Sequence, residues 1–196
     1  MSWHRYSMIV VGVALMFFAS PVFAEDSDND GLFDADEQRY GSVMDNPDSD
    51  ADGYPDGIEV ASGYDPLKGG AARLKKRIVV KLSKQKLSYY SGKAKLGTMV
   101  VSTGKWNWPT PIGTFAIQNK SPRAWSKLAG LWMPHWMGFK GGKFGIHELP
   151  EWPGGKKEGE DHLGKPVSHG CIRLGQKDAK KLYGWTEIGT ELSIVK

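Results

Sequence analysis

The sequence predicts a mainly β fold, a sandwich or partly closed barrel, preceded by a small module of different character. Three observations predict it. Short runs of alternating, β-branched residues recur through residues 75–196, each bounded by Gly or Pro. Residues 25–67 carry 14 Asp/Glu against the single Arg39, whereas residues 68–196 carry 24 Lys/Arg against 8 Asp/Glu. Two segments of opposite charge have been joined. Cys171 is the only cysteine, so no intrachain disulfide exists and the basic segment must fold on its core, for which about 125 residues suffice. With 40% hydrophobic and 24% charged residues, the chain is neither disordered nor collagen-like.

Residues 1–24 read as a signal peptide. His4 and Arg5 lie before the apolar run Ile9–Ala19, and Val22-Phe23-Ala24 supplies modest side chains before Glu25. Eleven apolar residues fall short of the roughly 20 that span a bilayer. The expectation is an exported protein of the periplasm or cell envelope, with no stable membrane anchor after cleavage.

The acidic segment, residues 25–67, repeats itself. Asp26, Asp28, Asp30, Leu32, Asp34 and Glu37 stand at positions 1, 3, 5, 7, 9 and 12 of a calcium-loop template, with Gly31 at position 6. Asp48, Asp50, Asp52, Tyr54, Asp56 and Glu59 match it again 22 residues later. Carboxylates spaced this way converge on a hard cation, with Leu32 and Tyr54 offering carbonyls; without the cation they would repel one another. An entering helix does not fit ahead of Asp26, so these are not ordinary EF-hands. The segment resembles thrombospondin type 3 or dockerin-like repeats, in which each loop is followed by a short turn, here ending at Gly63-Tyr64-Asp65-Pro66. That resemblance implies structural calcium, in a rigid spacer or a protein-docking element. Residues 68–74 then read as an interdomain linker.

Within residues 75–196, strands are expected at 78–82, 86–90, 95–102, from Gly113 to Gln118, at 143–147, 167–174 and 191–195, with one helix at 178–183. Five of the eight tryptophans fall between Trp106 and Trp136. They suit a substrate groove or a core equally well.

The chemistry gathers at Ser168-His169-Gly170-Cys171-Ile172-Arg173. A thiol is nucleophilic as its thiolate, and a nearby imidazole is the usual means of forming it. In an extended chain His169, Cys171 and Arg173 share a face. Gly170 lets a carbonyl approach, and the N–H groups of Gly170 and Cys171 are candidate oxyanion donors. Arg173 suits a carboxylate. His147 ends an apolar strand and is a second candidate base. A buried structural thiol, and a zinc site of His147, His162, His169 and Cys171, are the alternatives; the zinc site lacks paired short spacing.

Residues 75–196 resemble the L,D-transpeptidase catalytic domain of the YkuD type. The likeness runs through Ile78–Leu82, Tyr89-Tyr90, Val101–Gly104, Thr110–Phe115, Met133-Pro134, Ile146-His147 and Ser168–Arg173. It implies a β-sandwich catalytic domain in which Cys171 is the nucleophile and His147 the general base. Gly170 and Cys171 would lie in the oxyanion region, Ser168 and His169 would support the site, and Arg173 would orient substrate. No cofactor is then needed for catalysis. The implied substrate is peptidoglycan: Cys171 would form a thioester with a tetrapeptide stem. The acceptor would be an amine of a stem peptide, an amino acid or a protein lysine, or else water, as in a carboxypeptidase. An inactive, calcium-dependent cell-wall binding or adhesion protein is the rival from another class. The basic segment suits a carboxylate-rich polymer; nucleic acid would suit it too, but export argues against that partner. Two departures stand out. Glu148 follows the upstream His, where the family has Gly or Ser, and residues 150–157 lengthen the gap to Ser168, as a loop over the cleft mouth.

Overall fold

The computed structural model describes residues 24–196, so the leader expected over residues 1–24 lies outside the described residues except for Ala24. Two short helices, α1 (Asp34–Tyr40) and α2 (Asp56–Ser62), follow the two acidic loops, where only turns were expected. Acidic residues in each first turn favour these helices through the helix dipole, and Gly41 and Gly63 close them in the left-handed conformation.

The basic segment forms strands β1 (Lys76–Lys81), β2 (Lys86–Ser91), β3 (Ala94–Ser102), β4 (Gly113–Ala116), β5 (Asn119–Ser126), β6 (Leu131–Phe139), β7 (Phe144–Glu148), β8 (Ile172–Leu174) and β9 (Glu191–Val195), with helix α3 (Gln176–Trp185) before the last. The strands hydrogen-bond in the order β4-β9-β1-β2-β3-β8-β7-β6-β5. β4 and β5 therefore lie at opposite edges, yet only Ile117 and Gln118 separate them. The sheet must curl until its edges approach, and those two residues join them. Ile117 N donates to Thr190 O (2.9 Å) and Gln118 N to Gly138 O (2.8 Å).

Inside the curl lies one core built from alternate strand positions: Ile78, Val80, Leu87, Val101, Met137, Ile146, Ile172, Leu174, Leu192 and Ile194, closed by Ala179 and Leu182 of α3. Residues 119–139 carry a long hairpin that the sequence analysis did not place. Its polar and tryptophan-rich strands lack clean alternation, because β5 is a half-exposed edge.

Residues 68–74 are not a free tether. Gly70 N donates to Asp52 Oδ2 (2.7 Å), Leu74 N to Gly63 O (3.0 Å), and Arg73 lies over the Tyr64 ring at 5.0 Å. The acidic module is thus folded onto its own exit.

Candidate active site

β7 and β8 run parallel, with Ile146 opposite Ile172 and His147 opposite Arg173. Since Ile146 and Ile172 point into the core, strand alternation sends His147 and Arg173 to the other face. There they line a cleft of about 440 Å³ together with Cys171 and His169. Its far wall is the β5–β6 hairpin, through Trp125, Leu131, Met133 and Trp136 among others. The tryptophans divide accordingly: Trp136 is buried and stacks on His147 (6.0 Å between centroids, 27° between planes), whereas Trp106 is 92% exposed.

The extended run expected from residue 167 is not formed, and β8 begins only at Ile172. Gly170 adopts φ +106, and a side chain there would meet the Phe144 ring at 2.6 Å. Ser168 closes the turn: its Oγ accepts from Gly170 N (3.0 Å) and donates to Cys171 O (2.6 Å). This corrects the oxyanion assignment. The N–H of Gly170 is already engaged, which leaves that of Cys171 as the candidate donor. Thr110 Oγ1 braces the same turn, donating to Gly170 O (2.9 Å) and accepting from Gly104 N (2.8 Å).

His147 is 2% exposed, and its Nδ1 donates to the Glu148 carbonyl at 2.5 Å. That bond leaves Nε2 as the acceptor. Burial, with a smaller push from Arg173, holds the imidazole down at about 3, against the pull of the Glu148 hydrogen bond. Burial raises the Cys171 thiol, against a hydrogen bond from the Gly145 backbone and the Arg173 charge. Both groups are therefore neutral at rest. His169 is exposed and packs edge-on against Trp108 (5.3 Å); desolvation, then Lys105 and Arg173, lower its pKa.

Three further expectations are revised. Arg173 is not free for a substrate: its Nη1 donates to both carboxylate oxygens of Glu158 at 2.9 Å. None of residues 150–157 lines the cleft. They form a strap beside the sheet, with Glu151 paired in both directions with the Trp132 backbone (2.8 and 2.9 Å). His162 turns to Glu158, with Nδ1 3.0 Å from Oε1, rather than into a zinc site. Glu148, whose role the sequence left open, is buried and held by His135 Nδ1 (2.9 Å) and Lys157 Nζ (2.7 Å). No sequence signal pointed to Glu158 or Gly145, because each meets the site through a different strand or loop, and the tryptophan cluster left open that Trp136 lines the cleft.

In the acidic module, Asp26, Asp28 and Asp30 converge, as do Asp48, Asp50 and Asp52. Among the described residues, buried oxygens without a partner include Asp26 Oδ1, Asp28 Oδ2, Glu37 Oε2, Asp50 Oδ2 and Glu59 Oε2. Such orphans fit a cation. Burial, then neighbouring aspartates, push Glu37 and Glu59 up to about 7. Position nine does something else. Asp34 accepts from Ser27 N and Oγ (2.9 and 2.8 Å), and Asp56 from Ser49 N and Oγ (2.9 and 2.5 Å). Both thus brace their loops. The peptides of Leu32 and Tyr54 are oriented through their N–H groups, which donate to Asp30 Oδ1 and Asp52 Oδ1.

A family profile for the L,D-transpeptidase catalytic domain (YkuD) matches residues 75–194, more than half of the chain. The chain belongs to the L,D-transpeptidase family. A second profile, the bacterial TSP3 repeat, matches residues 26–42 and 48–69; of the two resemblances drawn for the acidic segment, this is the one supported. The YkuD protein of Bacillus licheniformis is 30% identical over 118 residues, which cover 60% of this chain and 64% of that protein. Among solved structures, an L,D-transpeptidase of Stackebrandtia nassauensis is 27% identical, with TM-score 0.54 over 64% of this chain and 57% of its own. One from Mycobacterium smegmatis, at 22% identity and TM-score 0.57, covers 64% of this chain and 60% of its own. The last likeness is one of fold. The match thus spans under two thirds of each relative's length, and lies in the domain that carries Cys171 and His147.

Proposed function

We propose that this protein is an exported cysteine L,D-transpeptidase acting on the tetrapeptide stems of peptidoglycan. One observation carries the reading: Cys171 and His147 line one cleft, and His147 Nδ1 is committed to the Glu148 carbonyl, so Nε2 is available for the thiol proton.

In this mechanism Nε2 takes that proton as the sulfur attacks the carbonyl of the third stem residue. The Cys171 N–H is the candidate donor to the developing oxyanion. The imidazolium so formed returns its proton to the departing D-Ala amine. An amine acceptor then resolves the thioester, giving a 3→3 cross-link or an attached amino acid or protein. Water in its place gives a carboxypeptidase. The basic domain favours an anionic wall polymer by long-range attraction.

The acidic module would hold calcium through Asp26, Asp28, Asp30 and Glu37 in one loop and Asp48, Asp50, Asp52 and Glu59 in the other. Calcium would supply charge compensation there and take no part in the reaction. The segment 1–24 would direct the chain to the periplasm or cell envelope.

Two measurements test the reading. A carbapenem should add once to Cys171 by intact mass, and purified sacculi should yield new 3→3 or tripeptide muropeptides. Absence of both on folded protein would turn the assignment toward a calcium-dependent wall-binding protein.

A further inference from the structure

Arg173 is buried, 8% exposed, and lines the cleft beside Cys171 and His147. A guanidinium in that position is the natural anchor for an anionic group brought to the thiol. The chain has filled the position itself. Glu158, whose side chain is 10% exposed, sits on Arg173 Nη1 with both oxygens at 2.9 Å.

The strap delivers this carboxylate. Arg123 Nη2 grips Glu151 (2.7 Å), Lys157 Nζ grips the buried Glu148 (2.7 Å), and Glu158 N donates to Pro150 O (2.9 Å). Anchors on β5 and β7 therefore fix the strap on the N-terminal side of Glu158. The contact is also incomplete. One nitrogen of Arg173 carries it, while Nε is buried with no partner. A carboxylate bound to Nε and a terminal nitrogen together would use the guanidinium fork better than Glu158 does.

We propose that Glu158 is an internal carboxylate that occupies the Arg173 site and sets the charge preference of the cleft. At rest Glu158 neutralises the guanidinium beside Cys171, while Lys127 and Lys143 also line the cleft, and an anionic group reaches Arg173 only by displacing Glu158. Glu158 is then a specificity-determining residue. The inference rests on the reading of Cys171 as the reactive thiol of a substrate cleft, but its charge logic is testable without any transpeptidation.

The test alkylates the sole cysteine of the full chain with iodoacetate and with iodoacetamide, which differ in charge. Intact mass gives the ratio of the two rates. Any general change in thiol acidity affects both rates and cancels in that ratio. Glu158→Gln should raise the iodoacetate-to-iodoacetamide ratio about tenfold, the lower end of electrostatic steering. Glu158→Gln/Arg173→Gln should bring it back to the wild-type value. Glu158→Asp keeps the charge, and so the strap, while shortening the reach; it should give an intermediate rise and serves if Glu158→Gln does not fold. An unchanged ratio in whichever variant folds would overturn the proposal, as would a rise that persists in the double variant. A shifted ratio in a protein that leaves sacculi untouched would sink the enzymatic reading alone.

Discussion

His147 Nδ1 lies 2.5 Å from the carbonyl oxygen of Glu148, the next residue in the chain. A base oriented by its own neighbour's backbone keeps its tautomer whatever side chain that neighbour carries. This is how Glu148 is accommodated directly after His147. His147→Ala should therefore slow carbapenem acylation by about 10²–10⁴-fold, the scale of general-base loss. His169→Ala, at an exposed ring, should cost far less. A larger defect in His169→Ala would mean that the base is misassigned.

Cys171→Ala should abolish adduct formation and all turnover while the far-ultraviolet circular dichroism stays native, since the sheet around it is held by other residues. Residual transfer activity in that variant would refute the thioester.

The resting charge state predicts a pH profile. Burial keeps His147 neutral down to about 3 and raises the Cys171 thiol above its ordinary value. Neither group changes charge between about pH 5 and pH 8, so the thiolate fraction grows about tenfold per unit across that range. Iodoacetamide alkylation should rise in step, without a plateau. A plateau starting near neutral pH would reveal a preformed thiolate–imidazolium pair.

Glu148 also has a structural task. Its buried carboxylate joins His135 on β6 to Lys157 on the strap. Glu148→Gln weakens both contacts and should cost about 1–3 kcal/mol, read as a lower denaturation midpoint. The His147 backbone contact survives, so acylation should change much less than in His147→Ala. Equal losses in the two variants would place Glu148 in the chemistry.

Calcium should order the acidic module. Exported calcium modules bind with dissociation constants of about 10⁻⁴–10⁻³ M, and ligand binding to the folded form adds stability. Chelator should expose residues 26–66 to protease, and millimolar calcium should protect them. Carbapenem acylation should change little, because the module lines no part of the cleft. Unchanged proteolysis would remove the metal assignment; a large effect of chelator on acylation would show that the two parts are coupled.

Much of this was legible in the residues. Alternation placed the strands of Ile78–Val80 and Glu191–Val195, because their two faces meet different media. Ser168–Arg173 and His147 marked the candidate site, because a thiol, an imidazole and a glycine turn together suit nucleophilic chemistry. The β5–β6 hairpin escaped, since an edge strand with polar residues on both faces has no period to read. The helices after the acidic loops escaped as well, for at seven residues each they are too short to show one.

By itself the sequence determined the candidate reactive groups, the charge division and the strand alternation, all of which are local properties of residue type and spacing. Only the tertiary structure decided which groups are free to act. Gly170 N–H is spent on Ser168, Asp34 and Asp56 on serines, and Arg173 on Glu158. Hydrogen-bond capacity is finite, and the partner that claims a donor or acceptor is chosen by the folded chain, often from a distant segment.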